Sequence, residues 1–397
     1  MGCLKSDMKS EKLERYCDVI SGYAFKSTDW RDSGVPVVKI GNISNGTDII
    51  FDEQIQYVEE EFKNKIDSKY LICKGDILLS LTGSHINQPN SMVGRCCRNR
   101  QNKLYFLNQR AGKVIPFSSV DKSYLYYLLS TKEIKYAIAN KAYGGANQVN
   151  ISPRDIKNIR WTFPRLEIQQ RIASILSAYD DLIENNNRRI KILEQMAENL
   201  YKEWFVRFRF PGYEQAEFEN GIPKGWEVKK IKDCIKRLPY NRLYKGSELK
   251  SEGKVIVIDQ STAECLGYHD NEASHYANYD SPIILFGDHS CKFKLMCTNF
   301  SLGENVIPFT VLHREKDNTY FLYYAVHKLI TTEEYKRHWN RLVNMKILKP
   351  SQCLQNKFAE FIISMQEQKQ NLFIQNQNLT KQRDKLLPRL MSGKLEV

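Results

Sequence analysis

The stretch PRLEIQQRIASIL covers residues 164–176, and PSQCLQNKFAEFI covers 350–362, 186 residues further on. In both, Pro comes first, Gln sixth, a basic residue eighth and Ala tenth, with apolar residues at the fifth, ninth, twelfth and thirteenth places. The likeness continues at the same offset, pairing Leu193 with Leu379 and Leu200 with Leu386. Upstream, VIPF stands at 114–117 and at 306–309, each followed by an aromatic, helix-like segment, YLYYLL at 124–129 and FLYYAV at 321–326. A period near 190 residues is far too long for a solenoid. It constrains the chain to two similar halves, each a globular domain followed by a long helix.

The helical stretches carry a seven-residue pattern. Leu176, Ile183, Ile190, Ala197 and Trp204 form one row, and Tyr179, Asn186, Leu193 and Leu200 a second. In the other copy Met365, Leu372, Leu379 and Leu386 line up, beside a more broken row of Ile362, Lys369, Asn376, Arg383 and Leu390. Such a seam predicts coiled-coil packing. Leu176, Ile183, Ile190, Leu193, Leu200, Met365, Leu372, Leu379 and Leu386 are the expected pairing residues. Asn186, Lys369 and Asn376 on the seam either fix its register at some cost in stability or face solvent where the stripe drifts. About 38 residues of helix would span about 57 Å, enough to hold two domains apart at a fixed spacing.

Between the helices the pattern changes. VPVVKIGNI, KGDILLSL, KVIVIDQ and SPIILFGD are short β-rich runs bounded by turn residues. SHINQPN and AYGGANQVNIS are polar loops, as are the regions around 237–252 and 287–294. The stretch 205–228, with two Pro and three Gly, reads as a linker. The fold class expected is α+β, with two globular domains and two long helices. The boundaries are 1–164 for the first domain, 165–210 for the first helix, 211–350 for the linker and second domain, and 351–397 for the second helix and tail.

Charge points to a partner. The net charge is +13 and the pI about 9.1, an excess suited to nucleic acid or an acidic surface. Arg95, Arg98, Arg100, Lys103, Arg110 and Lys113 follow one another without an acidic residue, with Tyr105 and Phe106 interleaved. Lys229, Lys230, Lys232, Lys236, Arg237, Arg242, Lys245 and Lys250 form a second cluster. Lys141, Lys292 and Lys294 stand near the polar loops. Positive clusters of this kind make phosphate contacts. Reading bases needs amides and hydroxyls on loops, and Thr82, Ser84, His85, Asn87, Gln88, Asn90, Asn147 and Gln148 supply them. Each also has an ordinary structural use, since turn Asn side chains often cap their own backbone.

Catalytic signatures are missing. There is no GxxxxGK[ST] phosphate loop, no HExxH and no Asn/Asp-Pro-Pro-aromatic tetrapeptide. The ten cysteines show no zinc spacing and are expected to be reduced thiols in a cytoplasm. No catalytic residue, metal ligand or cofactor is assigned, and neither a secretory signal nor a membrane span is expected.

Taken in order, ISGYAFKSTDW, VPVVKIGNISNG, KGDILLSLTGS, NQVNIS, the P..EIQQRIASIL stretch, LYKEWFVRF and LLPRLMSGKLEV resemble the specificity (S) subunit of type I restriction-modification systems over essentially the whole chain. The resemblance implies two target-recognition domains, each followed by a conserved helix, the helices pairing antiparallel. Each domain would read one half of a split double-stranded DNA site, and helix length would set the gap. It also implies two modification (methyltransferase) subunits docked on the helices, a restriction translocase subunit joining them, and no catalysis by this chain alone. The alternative is a coiled-coil scaffold whose basic domains bind nucleic acid without sequence preference. A further one is an enzyme with an unrecognised site.

Overall fold

The computed structural model describes residues 10–397 apart from 44–47, 52–54, 86–87, 89–90, 146–147, 262 and 332–336. It divides into two compact units, residues 1–184 with 376–397, and residues 185–375.

In the first unit β1 (Cys17–Ser21), β2 (Ile77–Ser80), β3 (Cys96–Arg98) and β4 (Ala111–Pro116) form an antiparallel sheet in the order β1-β4-β2-β3. In the second, β5 (Ile235–Arg237), β6 (Ile283–Gly287), β7 (Phe293–Met296) and β8 (Val306–Val311) form the same sheet in the order β5-β8-β6-β7. Their central strands are apolar at nearly every position because both faces are covered. Ile77 and Leu79 join one core and Leu78 another. Ile284 and Phe286 divide from Ile283 and Leu285 in the same way. Successive strand side chains point to opposite faces, so a two-sided core needs an unbroken apolar run.

The ends of each domain are clasped. Ser10–Lys12 pairs antiparallel with Arg160–Thr162, and Glu227–Lys230 pairs antiparallel with Lys346–Lys349. The second strand of each clasp leads through Pro164 or Pro350 into a long helix.

The repeated aromatic segments are α1 (Lys122–Ser130) and α3 (Thr319–Val326); the long helices are α2 (Leu166–Tyr201) and α4 (Gln352–Met391). At 1.5 Å per residue, 36 and 40 residues give about 54 and 60 Å. Asp121 and Asn318 cap α1 and α3, accepting from the Tyr124 and Tyr320 N–H.

Two readings of the sequence are corrected here. The VIPF tetrapeptides lie on corresponding last strands but not at corresponding places. Val114 sits opposite Ile77 and Phe309 opposite Ile284, so Phe117 falls beyond its strand at 43% exposure while Phe309 is fully buried. The 205–228 stretch is packed rather than a bare linker. Phe205 is buried, and Phe205, Phe208 and Phe210 all set their rings against Trp226, with centroids 5.4–5.9 Å apart.

Candidate nucleic-acid interface and helix seam

The sixth-place Gln of each repeat has one job in both units. The Gln169 carboxamide oxygen accepts from the Asp121 N–H at 2.9 Å, and its nitrogen donates to the Pro164 carbonyl at 2.8 Å. Gln355 accepts from the Asn318 N–H at 2.9 Å and donates to the Pro350 carbonyl at 3.0 Å. Both are buried, at 1% and 0% exposure. Each ties the cap of the domain's aromatic helix to the opening of the long helix. Around it, Ile172, Ala173 and Leu176 bury on one copy and Phe358, Ala359 and Ile362 on the other.

The polar seam positions are partnered rather than solvent-facing. In the first unit the buried Asp180 carboxylate receives Arg383 at 2.6 Å, Arg100 at 2.6 Å and the Tyr127 hydroxyl at 2.7 Å. In the second unit Lys369 meets Glu194 at 2.7 Å, and the buried Asn186 donates to Gln375 at 3.4 Å. Trp204 and Phe361 follow, 5.9 Å apart. Of the expected pairing residues, Leu176 and Leu372 are buried, while Ile183, Ile190, Leu193, Leu200, Met365, Leu379 and Leu386 are half-buried. Leu386 packs on the core of the first unit, and Leu200 and Met365 on that of the second.

The basic run at 95–113 turns largely inward, which corrects its reading as a phosphate surface. Arg95 donates to the Ile40 carbonyl at 2.9 Å, and burial lowers its pKa. Arg98 bonds Ser123 at 3.1 Å and lies over the Tyr126 ring. Arg100 is held by Asp180 and Glu184, and Lys113 by Asp76 at 2.7 Å. Tyr105 and Phe106 belong to the core. Lys103, Arg110 and Lys141 remain exposed.

The loop residues also divide. Thr82 is buried and bonds Asn150 at 2.7 Å, and Ser84 is buried and bonds the Gln88 carbonyl at 2.6 Å. These two build their loops instead of reaching outward. His85 is half-buried, and Gln88 and Gln148 are exposed. Asn87, Asn90 and Asn147 lie outside the described residues.

The second cluster stays on the surface. Arg237 lies over Tyr240 and Arg242 over Tyr244, with guanidinium-to-centroid distances of 4.9 and 4.5 Å. Tyr244 stacks in turn on His269 at 4.1 Å. Asn241, at φ 52°, ties this loop to the Ser274 carbonyl at 2.7 Å. Arg237, Arg242, Lys245 and Lys292 are exposed. Lys294 instead donates to the Ala263 and Glu264 carbonyls at 2.6 and 3.0 Å, and burial lowers its pKa.

Residues 5–195 match the family model described as type I restriction modification DNA specificity domain. The type I restriction enzyme MjaIX specificity subunit of Methanocaldococcus jannaschii is 29% identical over 326 residues, 73% of each chain. The chain resembles the specificity subunits of type I restriction-modification systems. A putative MjaX specificity subunit from the same organism is 24% identical, spanning 100% of this chain and 96% of that one. The fold is shared with the crystal structure of an S subunit from M. genitalium at a TM-score of 0.56 and 14% identity, covering 98% and 97% of the two chains.

In this chain the residues that sequence reasoning passed over are the ones that join domain to helix. Gln169 and Gln355 carried a signal, being identical at the same place in the repeat. Asp180 and Tyr127 carried little, because a helical carboxylate and a tyrosine reveal their pairing only when folded. Among the described residues, no helix is long and apolar enough to cross a membrane.

Proposed function

We propose that the subunit reads a bipartite DNA target, one half-site by residues 1–164 and the other by 211–350. The long helices run antiparallel as a coiled coil that sets the gap. The observation that carries this reading is the duplicated module: the same strand order, the same terminal clasp and the same glutamine clamp occur in both units. The exposed cations of each domain would contact phosphate, and Gln88 and Gln148 would face bases in the first. Two methyltransferase subunits dock on the outer helix faces, where Ile175, Leu182, Ile192 and Met196 on α2 and Ile374 on α4 stand 38–55% exposed. A restriction translocase joins them in the cytoplasm, and the chain itself is inert.

The test is to exchange residues 211–350 for the matching segment of a relative and to map methylated sites in cells supplying the methyltransferase. One half of the methylated sequence changes, while the other half and the gap persist. A change in both halves would refute independent reading.

A further inference from the structure

Beside its apolar rows α2 carries carboxylates, and the broken row of α4 carries cations. We infer that this charge code makes each helix select the other, and reject a second copy of itself, as partner; the inference rests on the helices pairing as above. Asp180, 1% exposed, faces Arg383, and Glu194 faces Lys369. The repeat offset of 186 residues converts these contacts into those of like helices. It maps Arg383 onto Ala197 and Lys369 onto Ile183. Two copies of α2 would therefore set Asp180 against Ala197 and Glu194 against Ile183. Two copies of α4 would set Arg383 against Gln366 and Lys369 against Thr380. The apolar rows of the two helices are alike enough to permit either like pairing. The buried carboxylate opposes it, because losing Arg383 strips the cation from its Oδ1 while Arg100 and Tyr127 hold Oδ2. Charged and polar residues on an otherwise apolar seam are the usual means of fixing register and partner.

The seam of α2 thus fits one kind of partner, an α4 seam, whether from the same chain or from a second molecule whose own α2 seam is spoiled. This follows from complementarity alone, since a partner from another chain presents the same cations in the same order.

The experiment uses two full-length chains with different tags, expressed together. One carries Lys369→Glu and Arg383→Ala, which spoils its α4 seam. The other carries Asp180→Ala and Glu194→Lys, which spoils its α2 seam. Within each chain the 194/369 pair is now like-charged, but exchange between chains restores opposite charges. Retrieval of one tag should recover the other as a 1:1 complex by native mass spectrometry, at about ten times the yield from two tagged wild-type chains. Equal recovery from the altered and wild-type pairs overturns the code. Should the alanine variants fail to fold, Glu194→Lys in one chain and Lys369→Glu in the other suffice, because Glu194 is half-exposed. They should enrich the mixed complex several-fold, and combining both changes in one chain should abolish the enrichment; any other pattern overturns the code. Hydrogen exchange on the wild-type chain separates the two readings. Protected seam amides in α2 and α4 with no exchange of partners mean that the helices pair without the code. Unprotected amides mean that the pairing itself is wrong.

Discussion

Replacing Gln169 by Ala should loosen the first unit and leave the second as it was. The side chain is 1% exposed and satisfies two main-chain groups, the Asp121 N–H and the Pro164 carbonyl. An abandoned buried partner costs about 1–3 kcal/mol, so the pair gives about 3 kcal/mol as a central value. For a unit of this size each kcal/mol lowers Tm by about 2–4 °C, hence a drop of about 6–12 °C. Scanning calorimetry should show the transition of the first unit shifted and that of the second unchanged. Gln355→Ala should do the reverse, because Gln355 makes the same two bonds around Asn318 and Pro350. Hydrogen exchange should speed at the first turn of α1 in one variant and of α3 in the other. A shift under 1 °C, or an equal shift of both transitions from either substitution, would refute the clamp as the joint between domain and helix.

Arg100→Ala should cost about 1–3 kcal/mol in denaturant unfolding, since Asp180 keeps Arg383 and Tyr127 but loses one charged donor. Arg237→Ala with Arg242→Ala should leave stability within about 0.5 kcal/mol and reduce the salt slope of DNA binding by about two. Acidification from pH 7 to 5.5 should weaken the second unit selectively. Burial lowers the pKa of His269, His275 and His327, all in that unit. The unfolded chain takes up protons near pH 6.5 that the fold refuses, so stability present above 6.5 falls as the pH drops; the unfolding midpoint of each unit against pH checks this. Four residues inserted after Ile190 together with four after Phe373 should add about 6 Å and widen the methylated target's gap by one or two base pairs. The same insertion after Ile190 alone would put Asp180–Arg383 and Glu194–Lys369 out of register and should abolish assembly.

Much of this architecture was legible in the sequence because it is periodic or duplicated. The long helices announce themselves by a seven-residue stripe, and the central strands by their apolar runs. The charged residues were harder to read. A run of six cations without an acid looks like a surface, yet Arg100 and Lys113 find their carboxylates at Asp180 and Asp76, 80 and 37 positions away. Side chains at loop tips misled in the same way. Thr82 and Ser84 offer hydroxyls suited to a base edge but spend them on Asn150 and the Gln88 carbonyl. Local sequence gives the chemistry of a side chain, whereas distant contacts decide whether that chemistry is left for a ligand.

The first unit is discontinuous, and this gives the chain an order of events during its synthesis. Residues 1–184 leave the ribosome first, but Leu386, Leu390 and Met391 complete their core, and Arg383 completes the charge set around Asp180. All of these are made only after residues 185–375, which form a unit of their own. At about 5–20 residues per second, the nascent first unit waits on the order of ten seconds or more with its core open and Asp180 short of one cation. A translation product that stops within the second unit therefore carries an unfinished first unit. It exposes to proteases and chaperones a surface that the longer chain covers.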